Sequence, residues 1–219
     1  MPKWSIIVLT TPNRYKSSFT RIIDDLTSQA DGWSVEVLGL YDNKSQPLGQ
    51  KRNSAVAASS GQYISFVDDD DEVSPKYVSS VMGELMRNNG TEVVFFDQIT
   101  REIDHNREVY CTYSPVLPTD AITQLDENGA ELRKLLVPHT AVWRRDFFER
   151  FEFGNEMPED MIWSQKSNPG LRKWSHIKKP LYFYNFCPSF SEWERKDMDT
   201  PNAHEKTFDA LTSGKTFSF

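Results

Sequence analysis

Over the first 97 residues, short apolar runs rich in β-branched side chains alternate with segments whose apolar residues recur every three or four positions. The runs Trp4–Thr10, Val35–Tyr41, Tyr63–Val67 and Glu92–Phe96 read as strands, the first and the last two as buried ones. Between them, Phe19, Ile22, Ile23 and Leu26, then residues 50–59, then Tyr77, Val78, Val81, Met82 and Leu85 read as helices. Gly32 and Gly61 are expected to end the first two. Strictly alternating strands and helices imply parallel strands with right-handed crossovers. The expected class is α/β, a mostly parallel central sheet flanked by helices. Such a sheet binds ligands beyond the carboxyl ends of its strands.

The third run ends in a chemical anomaly. Ile64-Ser-Phe-Val is followed at once by Asp68, Asp69, Asp70, Asp71 and Glu72. Five adjacent carboxylates repel, and each raises its neighbours' pKa. A following helix needs only one cap, and Ser74-Pro75 is suited to supply it. Hard cations such as Mg2+ and Mn2+ take carboxylate oxygen and share their coordination shell with substrate phosphates. The strand end therefore reads as a metal–phosphate site. The plainer alternative is a solvated acidic loop before a helix.

Beyond Asp97 the alternation stops. Ile99–Ile103 and Glu108–Tyr113 read as a hairpin, residues 127–136 as a helix, and His139–Trp143 and Lys179–Phe186 as strands. Met157–Trp163 reads as a loop entering a short helix. The expected division is 1–97, then a smaller mixed or antiparallel region over 98–193, then a polar tail over 194–219. A length of 219 residues suits one large domain or a domain with an appendage. The net charge of −7 disfavours nonspecific attraction to nucleic acid or anionic membrane. Within 133–179, however, ten Lys or Arg face six Asp or Glu, which reads as a solvated basic surface or as a face for an anionic acceptor. Cys111 and Cys187 give neither a disulfide framework nor metal spacing, so reduced thiols and a cytoplasmic protein are expected. No apolar leader and no run of about 20 apolar residues is evident.

Three motifs together resemble the family-2 glycosyltransferases of the GT-A fold. The opening SIIVLTTPNR is similar to that family's first strand and nucleotide-binding turn. GQKRNSAVAASSGQYISFVDDDDEV is similar to its basic-Asn helix, glycine, strand and Asp-x-Asp sequence. Glu159-Asp160 matches the acidic pair near the acceptor. The resemblance implies a transferase that moves a sugar from a nucleotide diphosphate donor, UDP-sugar favoured, to an acceptor hydroxyl with inversion. Thr10, Thr11 and Asn13 would border the nucleotide, Asp42 the base or ribose, and Arg52 the diphosphate. Asp68, Asp69 and Asp70 would form the Asp-x-Asp. By the resemblance Asp70 would be the first metal ligand, with Asp68 toward ribose or metal and His139 a candidate third ligand, for Mn2+ or Mg2+, although a run of four aspartates leaves the register open by one. Asp160 would be the general base, with Glu159 the alternate.

The sequence departs from the family pattern at Tyr41-Asp42-Asn43, where one carboxylate stands instead of two. It also lacks the Gln-x-x-Arg-Trp of processive synthases. The acceptor implied is a glycan or lipid-linked saccharide, and less readily a modified DNA base. Trp143, Trp163, Trp174 and Tyr182 are candidates for a sugar platform or for the core. His105, His176 and His204 have no evident chemistry. A haloacid-dehalogenase-type phosphatase would need its Asp-x-Asp near the first strand, and Ser213-Gly-Lys-Thr216 lacks the first glycine of a P-loop. The stronger competitor is a catalytically silent GT-A domain that binds nucleotide sugars or serves as an interaction module.

Overall fold

A computed structural model of the chain describes residues 1–12, 14–116, 123–125 and 131–186. Asn13, residues 127–130, Cys187, His204 and the tail over 194–219 lie outside the described residues. The first half folds as the alternation requires. β1 (Trp4–Thr10) is followed by a π-helical turn and α1 (Thr20–Ala30), then β2 (Val35–Tyr41), α2 (Leu48–Ala58) and β3 (Tyr63–Asp68). A two-residue strand, β4 (Glu72–Val73), precedes α3 (Tyr77–Arg87) and the long β5 (Val93–Glu102). β2, β1 and β3 run parallel in that order, with Leu9 beside Asp68 and Thr10 beside Tyr41. The carboxyl ends of all three therefore meet at one edge.

The second half builds outward from β5. β6 (Arg107–Ser114) pairs antiparallel with it, through the expected hairpin, whose turn places Asn106 in the left-handed region at φ 46°. β7 (Thr123–Leu125) and β8 (Glu131–Leu136) extend the sheet beyond β6. The helix expected over 127–136 is thus not formed at Glu131–Leu136. Leu132, Leu135 and Leu136 fit helical spacing, but the open edge of β6 offers a ladder of backbone partners that a surface helix would leave unpaired. β9 (Val142–Arg144) wedges antiparallel between β3 and β5, and His139 lies in the turn before it rather than in the strand. α4 (Arg145–Phe148) and α5 (Glu159–Ser167) follow, and β10 (Trp174–Phe186) runs along the other edge of β5 and also reaches β4. Among the described residues the result is a ten-stranded sheet, parallel on the β1–β3 side and mixed beyond.

Side-chain alternation assigns the two faces. Trp4, Ile6 and Val8 pack with Ile22 and Leu26 of α1 and with Tyr77, Val81 and Leu85 of α3. Ile7, Ile64, Phe66, Val93 and Phe95 point the other way, against Val56 of α2, Phe148 of α4 and Trp163 of α5. Trp143, Trp163 and Tyr182 are core residues, whereas Trp174 is 48% exposed at the start of β10, remote from the strand ends. Gly32 ends the first helix with φ +75°. Gly61 does different work from a helix stop, because α2 has already ended at Ser59. A Cβ at Gly61 would collide with the backbone of Trp4 and Ser5, so this glycine lets the turn into β3 approach β1. Among the described residues no helix is long and apolar enough to cross a membrane.

Candidate active site

The acidic run is a tight turn, and its four aspartates have different environments. Asp69 is buried and accepts the Thr10 hydroxyl at 2.7 Å and Arg14 Nη1 at 2.8 Å. The same Arg14 nitrogen lies 3.0 Å from Asp70 Oδ2. Asp71 is fully buried, accepting the Tyr182 hydroxyl at 2.7 Å and the Asn185 N–H at 2.8 Å. Burial, with the charges of Asp68 and Asp70, pushes the Asp71 carboxyl well up despite those bonds. The Tyr182 hydroxyl also accepts the Asp68 N–H at 3.0 Å, and Asn185 Nδ2 donates to the Asp70 carbonyl at 2.8 Å. β10 therefore pins the turn from behind. Asp69 and Asp71 face inward, while the Asp68 and Asp70 side chains keep 37% and 42% of their surface open.

Asp68 keeps that opening yet sits deep among protein atoms. This desolvation outweighs the pull of Arg52 and, with the charges of Asp70, Asp160 and Asp69, raises its pKa to about 6. Among the described residues no group of three or more His, Cys, Asp or Glu side chains is gathered to hold a metal. The described residues by themselves thus build no closed cage. Two partly open carboxylates fit a hard cation that draws its remaining ligands from a diphosphate and water.

α2 brings Arg52 across this turn. Its Nε donates to Glu159 Oε1 at 3.2 Å, its Nη2 lies 3.8 Å from Asp68 Oδ1, and its guanidinium lies over the rings of Phe66 and Phe153. Burial opposes the charge on Arg52, but Asp68, Glu159 and Asp160 outweigh it and raise its pKa. The Arg52 Nη1 atom is buried without a hydrogen-bond partner, as is the Thr11 hydroxyl at the end of β1. Glu159 is only 3% exposed, and burial chiefly raises its pKa against the pull of Arg52. Asp160, the next residue, is more open, accepts the Met161 N–H at Oδ1 and lies 3.9 Å from His139 Nδ1 through Oδ2. Of the expected pair, Asp160 is therefore the carboxylate accessible to a substrate, and Glu159 is the inner partner of Arg52.

Asp42 stands at the carboxyl end of β2, where the nucleotide base was expected. It is held by the Lys44 and Ser45 N–H groups, the Ser45 hydroxyl at 2.6 Å and Lys51 Nζ at 2.9 Å. The Ser45 hydroxyl and then Lys51 hold its carboxyl well below the usual range. These contacts make Asp42 the organiser of its loop. Arg14, Lys51, Asn53 and Asn185 were not singled out in the sequence, and Tyr182 was weighed only as a sugar platform or core residue, not as a partner of the acidic turn. Arg14, Lys51 and Asn53 lie within the quoted motifs, but nothing local marks two residues of β10 as partners of an acidic turn 111 and 114 positions away. A separate open hollow of about 830 Å³, lined by Asp24, Trp33, Val35 and Val37 among others, lies at the opposite end of β2 from the carboxylates.

Residues 7–151 match the family described as Glycosyl transferase family 2, and the chain belongs to that family. The Glu159-Asp160 pair lies beyond the matched residues. Among solved structures, the chain is similar to residues 1–349 of S. aureus TarS, at 15% identity and TM-score 0.56 over 84% of this chain and 60% of that one. It is similar to the same TarS piece in complex with UDP-GlcNAc, at 16% identity and TM-score 0.56 over 84% and 59%. The TarS piece in complex with UDP gives 18% identity and TM-score 0.58 over 99% and 72%. At these identities the likeness establishes the GT-A-type fold, and the chain spans about 60% of the first of these structures. A search of curated proteins found no match.

Proposed function

We propose that the chain is a metal-assisted, inverting glycosyltransferase that takes a sugar from a nucleotide diphosphate donor, UDP-sugar favoured, and places it on an acceptor hydroxyl. The observation that carries this reading is Arg52. A buried guanidinium faces Asp68 and Glu159 and keeps one N–H group without a partner, beside a strand end where an anionic ligand would sit. A buried unpaired donor calls for a ligand or water, and a guanidinium fork suits diphosphate oxygens. The unpartnered Thr11 hydroxyl at the neighbouring strand end supports the same placement.

Asp160 takes the proton of the acceptor hydroxyl as the acceptor oxygen bonds to the anomeric carbon. The carbon–oxygen bond to the diphosphate breaks on the opposite side, its electron pair leaving with the nucleoside diphosphate, which inverts the centre. Arg52 takes up charge developing on the departing group. Mn2+ or Mg2+, held by Asp70 and Asp68, would neutralise the diphosphate. A glycan or lipid-linked saccharide suits the acceptor better than DNA. Three of the ten basic residues of 133–179, Arg133, Arg144 and Arg145, are paired with Glu102, Asp146 and Glu149, and the net charge of −7 works against a polyanionic acceptor.

The test is calorimetry and donor turnover with a panel of nucleotide sugars, with and without Mn2+. Metal-dependent UDP binding with slow donor hydrolysis is expected, and Asp160→Asn should retain binding and lose transfer to an acceptor. Binding without turnover for every donor and acceptor would leave a silent nucleotide-sugar module. No nucleotide binding at all would end the transferase reading.

A further inference from the structure

His139 is 4% exposed, and neither of its ring nitrogens has a hydrogen-bond partner. Phe66 lies 5.8 Å and Phe153 6.1 Å from it between ring centroids, the latter edge-on. Burial, and secondarily the charge of Arg52, keep its pKa well below the ordinary value, so the ring is neutral at pH 7. A neutral imidazole carries one N–H and one lone pair. Leaving both unused inside a protein forfeits hydrogen bonding that buried polar groups nearly always find.

The acid within reach is Asp160. Its Oδ1 already accepts the Met161 N–H at 2.8 Å, and its Oδ2 stands 3.9 Å from His139 Nδ1. A proton on Nδ1 has that acceptor before it, whereas a proton on Nε2 has none. The gap is about 1 Å longer than a hydrogen bond, and bonds that orient catalytic groups often tighten only once substrate is bound.

We propose that His139, as the Nδ1–H tautomer, is a positioning residue that donates to Asp160 Oδ2. The carboxylate is then held at both oxygens, by its own helix and by this turn, with a lone pair of Oδ2 left for the acceptor hydroxyl. His139 itself touches no substrate. This rests on Asp160 being the base, and it gives His139 a role other than the third metal ligand expected from the sequence. Among the described residues His139 does not gather with Asp68 and Asp70 into a ligand group.

Two measurements test the assignment. The chain has four histidines, so 15N-resolved NMR of their side chains, assigned with His139→Asn, can read the His139 tautomer directly. A neutral Nδ1–H form is expected in the wild type, reverting to Nε2–H in Asp160→Ala. An Nε2–H form in the wild type, or a tautomer indifferent to Asp160→Ala, overturns the proposal. This readout does not depend on turnover, so it stands even where the transferase reading fails. In kinetics with an active donor, His139→Leu should lower kcat on the order of 100-fold, the penalty for a base displaced by about 1 Å. Donor KM and the Mn2+ requirement should not move. His139→Asn, whose amide can supply an N–H near the Nδ1 position, should recover most of the loss. A raised Mn2+ requirement in both variants would instead make His139 a metal ligand. Should His139→Leu fail to fold, the tautomer and His139→Asn decide.

Discussion

Arg52 concentrates the electrostatic tension of the molecule. Its charge balances Glu159, which is almost fully buried, and lowers the cost of ionising Asp68. Arg52→Lys keeps the charge and removes the fork. The expected result is a folded protein whose Mn2+-dependent UDP affinity falls about tenfold, or ~1.4 kcal/mol, by calorimetry; unchanged affinity would take Arg52 away from the diphosphate. Asp97 gives a residue-scale prediction outside the site. It accepts Tyr110, Thr112 and His176, and although burial works against its charge, these bonds hold its carboxyl below the ordinary 3.8. A depressed acid stabilises the fold above its unfolded value, and that share disappears as pH falls through the lower folded value. Asp97→Asn should therefore cost about 2 kcal/mol at pH 7. In denaturant titrations the gap between variant and wild type should close below about pH 4. A gap that stays constant to pH 3 would show that the charge is not what matters there.

At the scale of elements, the site is assembled by α2 gripping the segment that leads into α5. Asn53 donates to the Phe153 carbonyl at 3.0 Å and accepts the Phe153 N–H at 3.1 Å. Gly49 lies so close to Gly154 that any Cβ would overlap its carbonyl oxygen. This clamp places Arg52 against Glu159 over a separation of 107 residues. Asn53→Ala should lose about 1–3 kcal/mol of stability and, on the proposed mechanism, reduce kcat more than UDP affinity, because the helix carrying Asp160 loosens while the strand-end turn stays intact. Equal losses in both would place the clamp in donor binding instead. β1, β3 and the start of β5 were legible because they alternate residues between two buried faces, a pattern that a covered sheet satisfies, while β2, the half-exposed edge, was legible from its β-branched run and flanking turn residues. Glu131–Leu136 was misread because three leucines at helical spacing fit two structures equally well, and the choice lay with the free edge of β6.

Across the whole molecule, β10 ties the last described element to the first chemical motif. One phenol, Tyr182, accepts the Asp68 N–H and donates to Asp71. Burial, with the charges of Asp71 and Asp68, pushes its pKa well up, so it remains a donor at any working pH. Tyr182→Phe should cost about 1–3 kcal/mol by thermal denaturation and, by loosening the acidic turn, weaken the proposed metal-dependent UDP binding. Retained stability together with retained UDP affinity would mean that the turn holds its shape without β10.

What the chain determined locally was the α/β alternation, the two-faced core and the presence of an acidic turn after β3, because periodicity and charge density are properties of neighbours in sequence. Which aspartates turn inward, which member of Glu159-Asp160 stays open, and which basic group meets which acid were decided in three dimensions. Those outcomes depend on burial and on hydrogen bonds between segments more than 50 residues apart, such as Thr10 with Asp69 and Tyr182 with Asp71. Hydrogen bonding and desolvation act through space, and no local pattern encodes which distant side chain will arrive.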